Sequence, residues 1–324
     1  MVDELRPRRR FPIAVLDAYR PVRLPHLELD GAVARFMGDE LGPAVFPPGS
    51  EDLWSSIDGD RALSTWDASA RTVLCRWHRQ GLLVMAPPGP AGAASFTVLS
   101  PHPDDAQLAL GGVLARGCGR VVAVFTRETW TRRPYYQARP ALTASLLLAE
   151  ERAACTVLGA ELVLLDHVDA EARPAWSSGF FAGGRAVSEV EPDLFAAVVA
   201  DLAAVLRGTP GPVFAPLGVG GHVDHLLTRE AARVLVDPDR LVYYEDMPYT
   251  VYGDAPAAAE GLVPHLLEAD AQTADLKREA LWCYRLQVTE ATTTRVVRHG
   301  TQRLGAGAFA ERVWHTAGVS TMDR

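Results

Sequence analysis

The chain has 324 residues, 48% hydrophobic and 22% charged, enough apolar material for one large core or a core with a smaller module. Its formal net charge of −8 excludes a general polyanion binder, whose surface would be basic, so nucleic acid is not an expected partner. The four cysteines, Cys75, Cys118, Cys155 and Cys283, form no CxxC pair, which suits reduced cytoplasmic thiols better than a disulfide framework or a structural zinc site.

Near the start, Arg8, Arg9 and Arg10 precede the apolar run FPIAVL at 11–16. That run breaks at Asp17, too short for a signal peptide, and nothing elsewhere approaches the ~20 apolar residues of a membrane span. A first strand is expected there, and no membrane partner. Residues 1–90 are expected to form a small N-terminal α+β module. It contains a helix over 29–42, a short helix at 50–60 ending in an Asp-Gly turn, and a helix running into a strand over 69–87. Ala70, Val73, Leu74 and Trp77 give the last helix one apolar face, with Gly81 placed to stop it. The order helix, turn, helix, strand resembles the winged-helix-like domains that capture leader peptides; the plainer reading is a structural extension packed on the rest of the chain. PPGPAGAAS at 87–95 is the expected linker to a second domain of residues 91–324.

From residue 96 strands and helices alternate. Strands are expected at 96–99, 120–126, 161–166, 212–216 and 241–245, and helices at 105–115, 141–159, 190–207 and after His222. This alternation predicts an α/β fold, a Rossmann-like, mostly parallel sheet with helices on both faces. The stretches 127–139, 167–188 and 246–272 are expected to be long loops shaping a pocket. No GxGxxG follows a strand and no P-loop occurs, so a nucleotide cofactor has no visible cradle.

Two clusters carry chemistry. In FTVLSPHPDDAQLALGG, the turn between strand and helix holds His102, Asp104 and Asp105, at the sheet edge where α/β folds bind ligands. In GVGGHVDHLL, His222, Asp224 and His225 open a helix, the two histidines three residues apart and thus on one face. Each has a plain alternative, an Asp that caps the helix or a capped helix start with surface histidines. Together, at junctions on one sheet edge, they point to a metal site. His26, His78, His265, His299 and His315 lack partner clusters and are expected to be surface or locally bonded.

HPDD followed by Gly-Gly, the later HVDH, ERAACTVLGA at 151–160, YYEDMPY at 243–249 and FAERVW at 309–314 together resemble the PIG-L/LmbE family of zinc-dependent N-deacetylases over about residues 95–324. The resemblance implies His102, Asp105 and His225 as metal ligands. Zn²⁺ is the expected ion, and Fe²⁺ the other that two imidazoles and a carboxylate accept. It leaves Asp104 as general base and His222 to serve the oxyanion or the leaving amine, with Asp224 holding the His222 ring. Family members carry Glu directly after HPDD, where this chain has Ala106, so one supporting contact is expected to be missing.

The implied activity is removal of an N-acyl, in particular N-acetyl, group from a small amino-sugar-containing substrate or natural-product intermediate, by attack of a zinc-bound water. Arg127, Trp130, Asp166, Arg173, Glu245 and Tyr249 are the expected substrate contacts, being charges and aromatics that follow strands or sit in the long loops. The rival reading is a peptide-pathway maturation protein whose first ninety residues bind a leader or carrier peptide. A non-catalytic relative is a third, disfavoured by the intact ligand and base residues. A homo-oligomer is compatible with the sequence and not implied by it.

Overall fold

The computed structural model describes residues 17–30, 33–89, 92–177, 179–253, 255–304 and 309–317. The strand expected at 11–16 and part of the linker lie outside these. The strands are β1 (Arg20–Arg23), β2 (Leu27–Asp30), β3 (Val33–Phe36), β4 (Asp39–Glu40), β5 (Leu83–Ala86), β6 (Phe96–Ser100), β7 (Gly119–Arg127), β8 (Glu161–Val168), β9 (Val213–Pro216), β10 (Leu241–Tyr244), β11 (Leu262–Ala269) and β12 (Phe309–Thr316).

Seven strands form the main sheet in the order β11-β12-β10-β9-β6-β7-β8. From β10 to β8 the pairing is parallel, as the alternation of elements predicts. Successive residues divide between two cores: Val98, Val121, Phe214 and Tyr244 face one, and Leu99, Val122, Ala215 and Tyr243 the other. This is the two-residue period of a strand with both faces covered. Helices Asp105–Leu114, Pro140–Leu158 and Ala271–Leu281 cover the first face, and Pro192–Leu206 and Val223–Leu235 the second. No described helix is long and apolar enough to cross a membrane.

Two expectations are corrected. The stretch 246–272, expected to be loop, contains β11, which pairs antiparallel with β12 as β12 does with β10. As an edge strand, half-exposed and interrupted by Pro264, β11 carries little of the alternation that marks strands in a sequence. Residues 29–42, expected to be helical, include strands of the antiparallel meander β2-β3-β4, so the winged-helix order does not occur. Ala34 and Phe36 point inward at period two, and Met37 and Gly38, at φ 56° and 86°, make the two-residue turn between β3 and β4.

The helix Ala68–Gln80 and β5 follow the sequence closely. Asp67 accepts the Ala70 N–H at 2.9 Å, and Gly81 ends the helix at φ 77°, where a Cβ would meet the Trp282 ring at 2.8 Å. Trp54, Trp77 and Met85 share one core with Ala153, Val157 and Leu281. His78 and His26, expected at the surface or in local bonds, are buried and reach across the chain. His78 Nε2 lies 2.8 Å from Glu279 Oε1, and His26 Nε2 lies 2.7 Å from Glu150 Oε1.

The helix Asp105–Leu114 departs from helical geometry at Leu110 (φ −119°, ψ 23°). Beyond the break, the Gly112 and Val113 N–H groups donate to Glu311 of β12, each at 2.9 Å. Lys277 lies 2.5 Å from the same carboxylate and donates to the Ala109 carbonyl at 3.2 Å. The break is thus satisfied by a buried ion pair. Glu311→Ala, which leaves the Lys277 ammonium buried opposite two orphaned N–H groups, is expected to cost about 3–5 kcal/mol, read as a lower urea midpoint at unchanged slope.

Candidate active site

The turn after β6 and the loop after β9 meet at the carboxyl-terminal edge of the sheet. Asp105 Oδ2 lies 3.2 Å from His102 Nδ1 and 3.3 Å from His225 Nε2, and it accepts the His102 backbone N–H at 2.9 Å. Each imidazole is held from behind. His102 Nε2 lies 2.9 Å from Asp169 Oδ2 and 3.0 Å from Asp224 Oδ2, and His225 Nδ1 lies 2.6 Å from Asp246 Oδ1. Asp246 is fixed in turn by the N–H groups of Gly218 and Val219, at 2.7 and 2.9 Å. Gly218 stands at φ 84°, and a Cβ there would strike Leu226 at 2.7 Å.

Asp104 precedes the helix at the N-cap position, yet its side chain makes no capping bond, so the capping alternative does not hold. Its backbone sits at φ 95°, a sparsely populated conformation for a residue with a side chain. Its N–H donates to Glu151 Oε2 at 3.1 Å, and the buried Glu151 carboxylate also receives Tyr284 Oη at 2.6 Å and Gln107 Nε2 at 3.0 Å. Ala106 is buried, its N–H on Ser100 Oγ at 3.0 Å, so the turn is held without a side chain at that position.

Burial, then the neighbouring Asp105 and Glu128 charges, push the Asp104 carboxyl well above the usual carboxylate range. Burial opposes ionisation of Asp105 too, but the charges and hydrogen bonds of His225 and His102 outweigh it and hold that carboxyl far below the usual range. Burial lowers His225, yet Asp105 and Asp246 outweigh it and raise its pKa to about 9. Burial and the facing His102 and His225 depress His222 to about 3, so its imidazole is neutral. Carboxylates that drive two imidazoles toward the charged form make a negative potential that a cation relieves, and an imidazole whose outer nitrogen rests on a carboxylate is characteristic of metal ligands. The donor set fits a divalent metal held by two imidazoles and a carboxylate.

Asp224 does not hold the His222 ring, as the resemblance implied. Its carboxylate turns the other way, to His102, to Arg173 Nη1 at 2.6 Å and to the Ala170 N–H at 3.0 Å, and only its backbone N–H reaches His222 Nδ1, at 3.3 Å. The reason is helix geometry: the two residues are neighbours in the first turn and point apart.

Of the expected substrate contacts, Trp130 and Tyr249 line a cavity of about 270 Å³ over His102, Asp105 and His225. Arg173 does not: it is buried under the site, its Nε 3.1 Å from Glu191 and its Nη1 on the Val168 carbonyl at 2.8 Å. Glu245 does not either, because strand alternation turns it to Arg312 and Trp314 of β12 while the next residue, Asp246, faces the site. Asp166 is exposed, 3.7 Å from Arg127, and Arg127 lines only a neighbouring cavity. Asp169 holds His102, and Trp176 is buried with its Nε1 on Glu191 at 2.5 Å. Gln287, Val288 and Thr292 reach the cavity from a segment with no motif to announce them.

A doubly covered, mostly parallel sheet with this cluster at its carboxyl edge offers a divalent metal a place where such folds bind ligands. Residues 97–236 match the family PIG-L, GlcNAc-PI de-N-acetylase. The chain is 32% identical over 241 residues to the 2'-N-acetylparomamine deacetylase of Streptomyces fradiae, covering 68% of this chain and 84% of that protein. Among solved structures, it resembles a deacetylase of teicoplanin biosynthesis at 22% identity and TM-score 0.57, covering 68% of this chain and 96% of that one. It also resembles a deacetylase of the A40926 pseudoaglycone at 23% identity and TM-score 0.52, covering 69% and 97%. The chain belongs to the PIG-L family of N-deacetylases.

Asp246→Asn, which keeps the shape but removes the charge behind His225, is expected to weaken metal binding about 10- to 100-fold in a competitive chelator titration, with the fold retained by circular dichroism.

Proposed function

We propose that this protein removes an N-acetyl group from an amino sugar carried by a small natural-product intermediate, with His102, Asp105 and His225 holding the metal and Asp104 as general base. The observation that carries this reading is Asp105 Oδ2 set between His102 Nδ1 and His225 Nε2, 3.2 and 3.3 Å away, with a buried carboxylate behind each ring. The substrate class is supported by the similarity to a deacetylase of an N-acetylated aminoglycoside fragment. The free thiols and the lack of a membrane-crossing helix among the described residues suit a cytoplasmic biosynthetic enzyme.

When bound, a divalent metal supplies Lewis acidity toward the acyl carbonyl and lowers the pKa of water toward about 7. The chain's own groups do the rest. Asp104 makes no capping bond and lines the cavity, and a bound cation beside it would offset the burial and the neighbouring charges that keep its proton on, so that its carboxylate takes a proton from the attacking water. His222 accepts the Asp224 N–H at Nδ1, which places its remaining proton on Nε2, and the neutral ring donates that N–H to the oxyanion formed as water adds to the acyl carbon. Asp104 then returns its proton to the leaving nitrogen as the C–N bond breaks, giving acetic acid and the amine, which leave as acetate and ammonium.

Asp104→Asn is expected to lower kcat about 10²- to 10⁴-fold with metal content unchanged, whereas Asp105→Ala and His225→Ala lose metal and activity together. Metal analysis of the same samples, beside amine release from N-acetylglucosaminides, checks both; activity surviving in Asp104→Asn would remove it as the base. A structurally similar deacetylase is described in a zinc-inhibited form, so the stripped protein is to be reloaded with Zn²⁺ and with Fe²⁺ separately. Activity restored by neither ion would overturn the metal assignment.

A further inference from the structure

A small cavity of about 120 Å³ adjoins the one over the metal site, and Arg132, Gln287 and Val288 line both. Its chemistry is the reverse of its neighbour's. Arg132, Arg133 and Arg285 line it together with Thr289, and no carboxylate among the described residues does, whereas Asp105, Glu128, Asp169 and Glu171 line the larger one. The arginines are brought together by bonds between segments far apart in the sequence. The Leu286 carbonyl accepts the Arg132 N–H and Thr131 Oγ1, each at 3.0 Å, and Arg133 Nε donates to the Arg285 carbonyl at 3.0 Å. Arg285 itself is buried, its guanidinium 4.0 Å from the centre of the Trp282 ring.

Guanidinium groups gathered on one cavity repel one another, and each presents a fork of N–H donors that matches a carboxylate or a phosphate. Glu150, which accepts the Leu286 N–H at 2.9 Å, answers them only in part. Burial pushes its carboxyl well above the usual carboxylate range, against the backbone N–H groups of Leu286 and Arg285 and the charges of Arg285 and Arg133. The helix Glu290–Leu304 begins beside the cavity, with Thr289 Oγ1 accepting the Thr292 N–H at 3.0 Å, and adds the positive end of its dipole. Size narrows the occupant. At about 30 Å³ for each water-sized group, a cavity of about 120 Å³ holds roughly four heavy atoms, too few for a sugar ring and enough for acetate.

We propose that this arginine-lined cavity is a binding site for a small oxyanion, separate from the metal site. The anion has two sources. One is the acetate released next door, which leaves a cavity lined by carboxylates and meets the guanidinium groups through the shared Arg132; the other is an oxyanion of the solution, such as inorganic phosphate. The first source rests on the deacetylase reading, and the site itself does not.

Calorimetric titration of the metal-loaded protein with sodium acetate and with sodium phosphate, at an ionic strength fixed by sodium chloride, reads the site without turnover. Binding to wild type is expected to weaken about tenfold in Arg133→Gln, a residue that lines the small cavity and not the one over the metal site, so anion held by the metal is not affected. Arg285→Lys keeps the charge and removes the fork; it is expected to give a smaller loss of the same kind, and serves if Arg133→Gln does not fold. In parallel, acetate is added to the deacetylation of an N-acetylglucosaminide, and its inhibition constant is expected to rise by the same factor in the same variant. That result identifies released acetate as the occupant, whereas phosphate binding that falls in the variants without any acetate binding identifies the oxyanion of the solution; both sustain the site. Neither anion binding above the chloride background, or affinities unchanged in both variants, overturns it. Arginine-dependent anion binding in a protein that releases no amine overturns the neighbouring deacetylase reading and leaves the site standing.

Discussion

The structure depends on a balance of buried charge around Asp105. Asp105, Asp169, Asp224 and Asp246 surround His102 and His225, and all six are largely removed from solvent. Carboxylates at that density are costly to bury unless positive charge or hydrogen-bond donors answer them. Here Arg173, the imidazoles and the backbone N–H groups of Ala170, Gly218 and Val219 do so. Asp105 Oδ2 alone lies between His102 Nδ1 and His225 Nε2.

The fold makes this possible by collecting strand ends. His102 and Asp105 follow β6, Asp169 follows β8, His222 and His225 follow β9, and Asp246 follows β10, so groups from distant parts of the chain converge on one sheet edge. The antiparallel edge contributes from behind: Glu311 of β12 secures the broken helix that begins with Asp105. The N-terminal residues contribute through the core and through His26 and His78, whose glutamate partners lie on helices Pro140–Leu158 and Ala271–Leu281. Glu150, the partner of His26, adjoins Glu151, which holds the Asp104 turn. One helix therefore links the N-terminal strands to the candidate base.

The cavity over His102, Asp105 and His225 is lined by aromatic and acidic side chains. Phe180 and Tyr249 lie on the His222 side, their rings 5.0 Å from His222 and 5.6 Å from His225, and the backbone around Phe181 bridges to His222. Glu128, Asp169 and Glu171 also line this cavity.

The parallel sheet was legible because its strands are buried on both faces and read as short apolar runs, and the two motifs could be placed because each sits where such a strand meets a helix. His102, Asp104, Asp105, His222 and His225 were therefore nameable from the sequence, with Asp105 over Asp104 as ligand implied only by the family pattern. The antiparallel edge and the N-terminal meander were not legible, since β11 is half-exposed with a proline and β2 to β4 are too short for their alternation to stand out. Nor were the directions of the supporting charges. Whether Glu245 or Asp246 turns inward, whether Asp224 serves His222 or His102, and that Arg173 lies beneath the site follow from strand pleat and helix rotation acting on neighbours far apart in sequence. The sequence by itself determined which chemistry the chain carries; the tertiary structure decided which carboxylate stands behind which imidazole, because that depends on distances between strands that no spacing along the chain records.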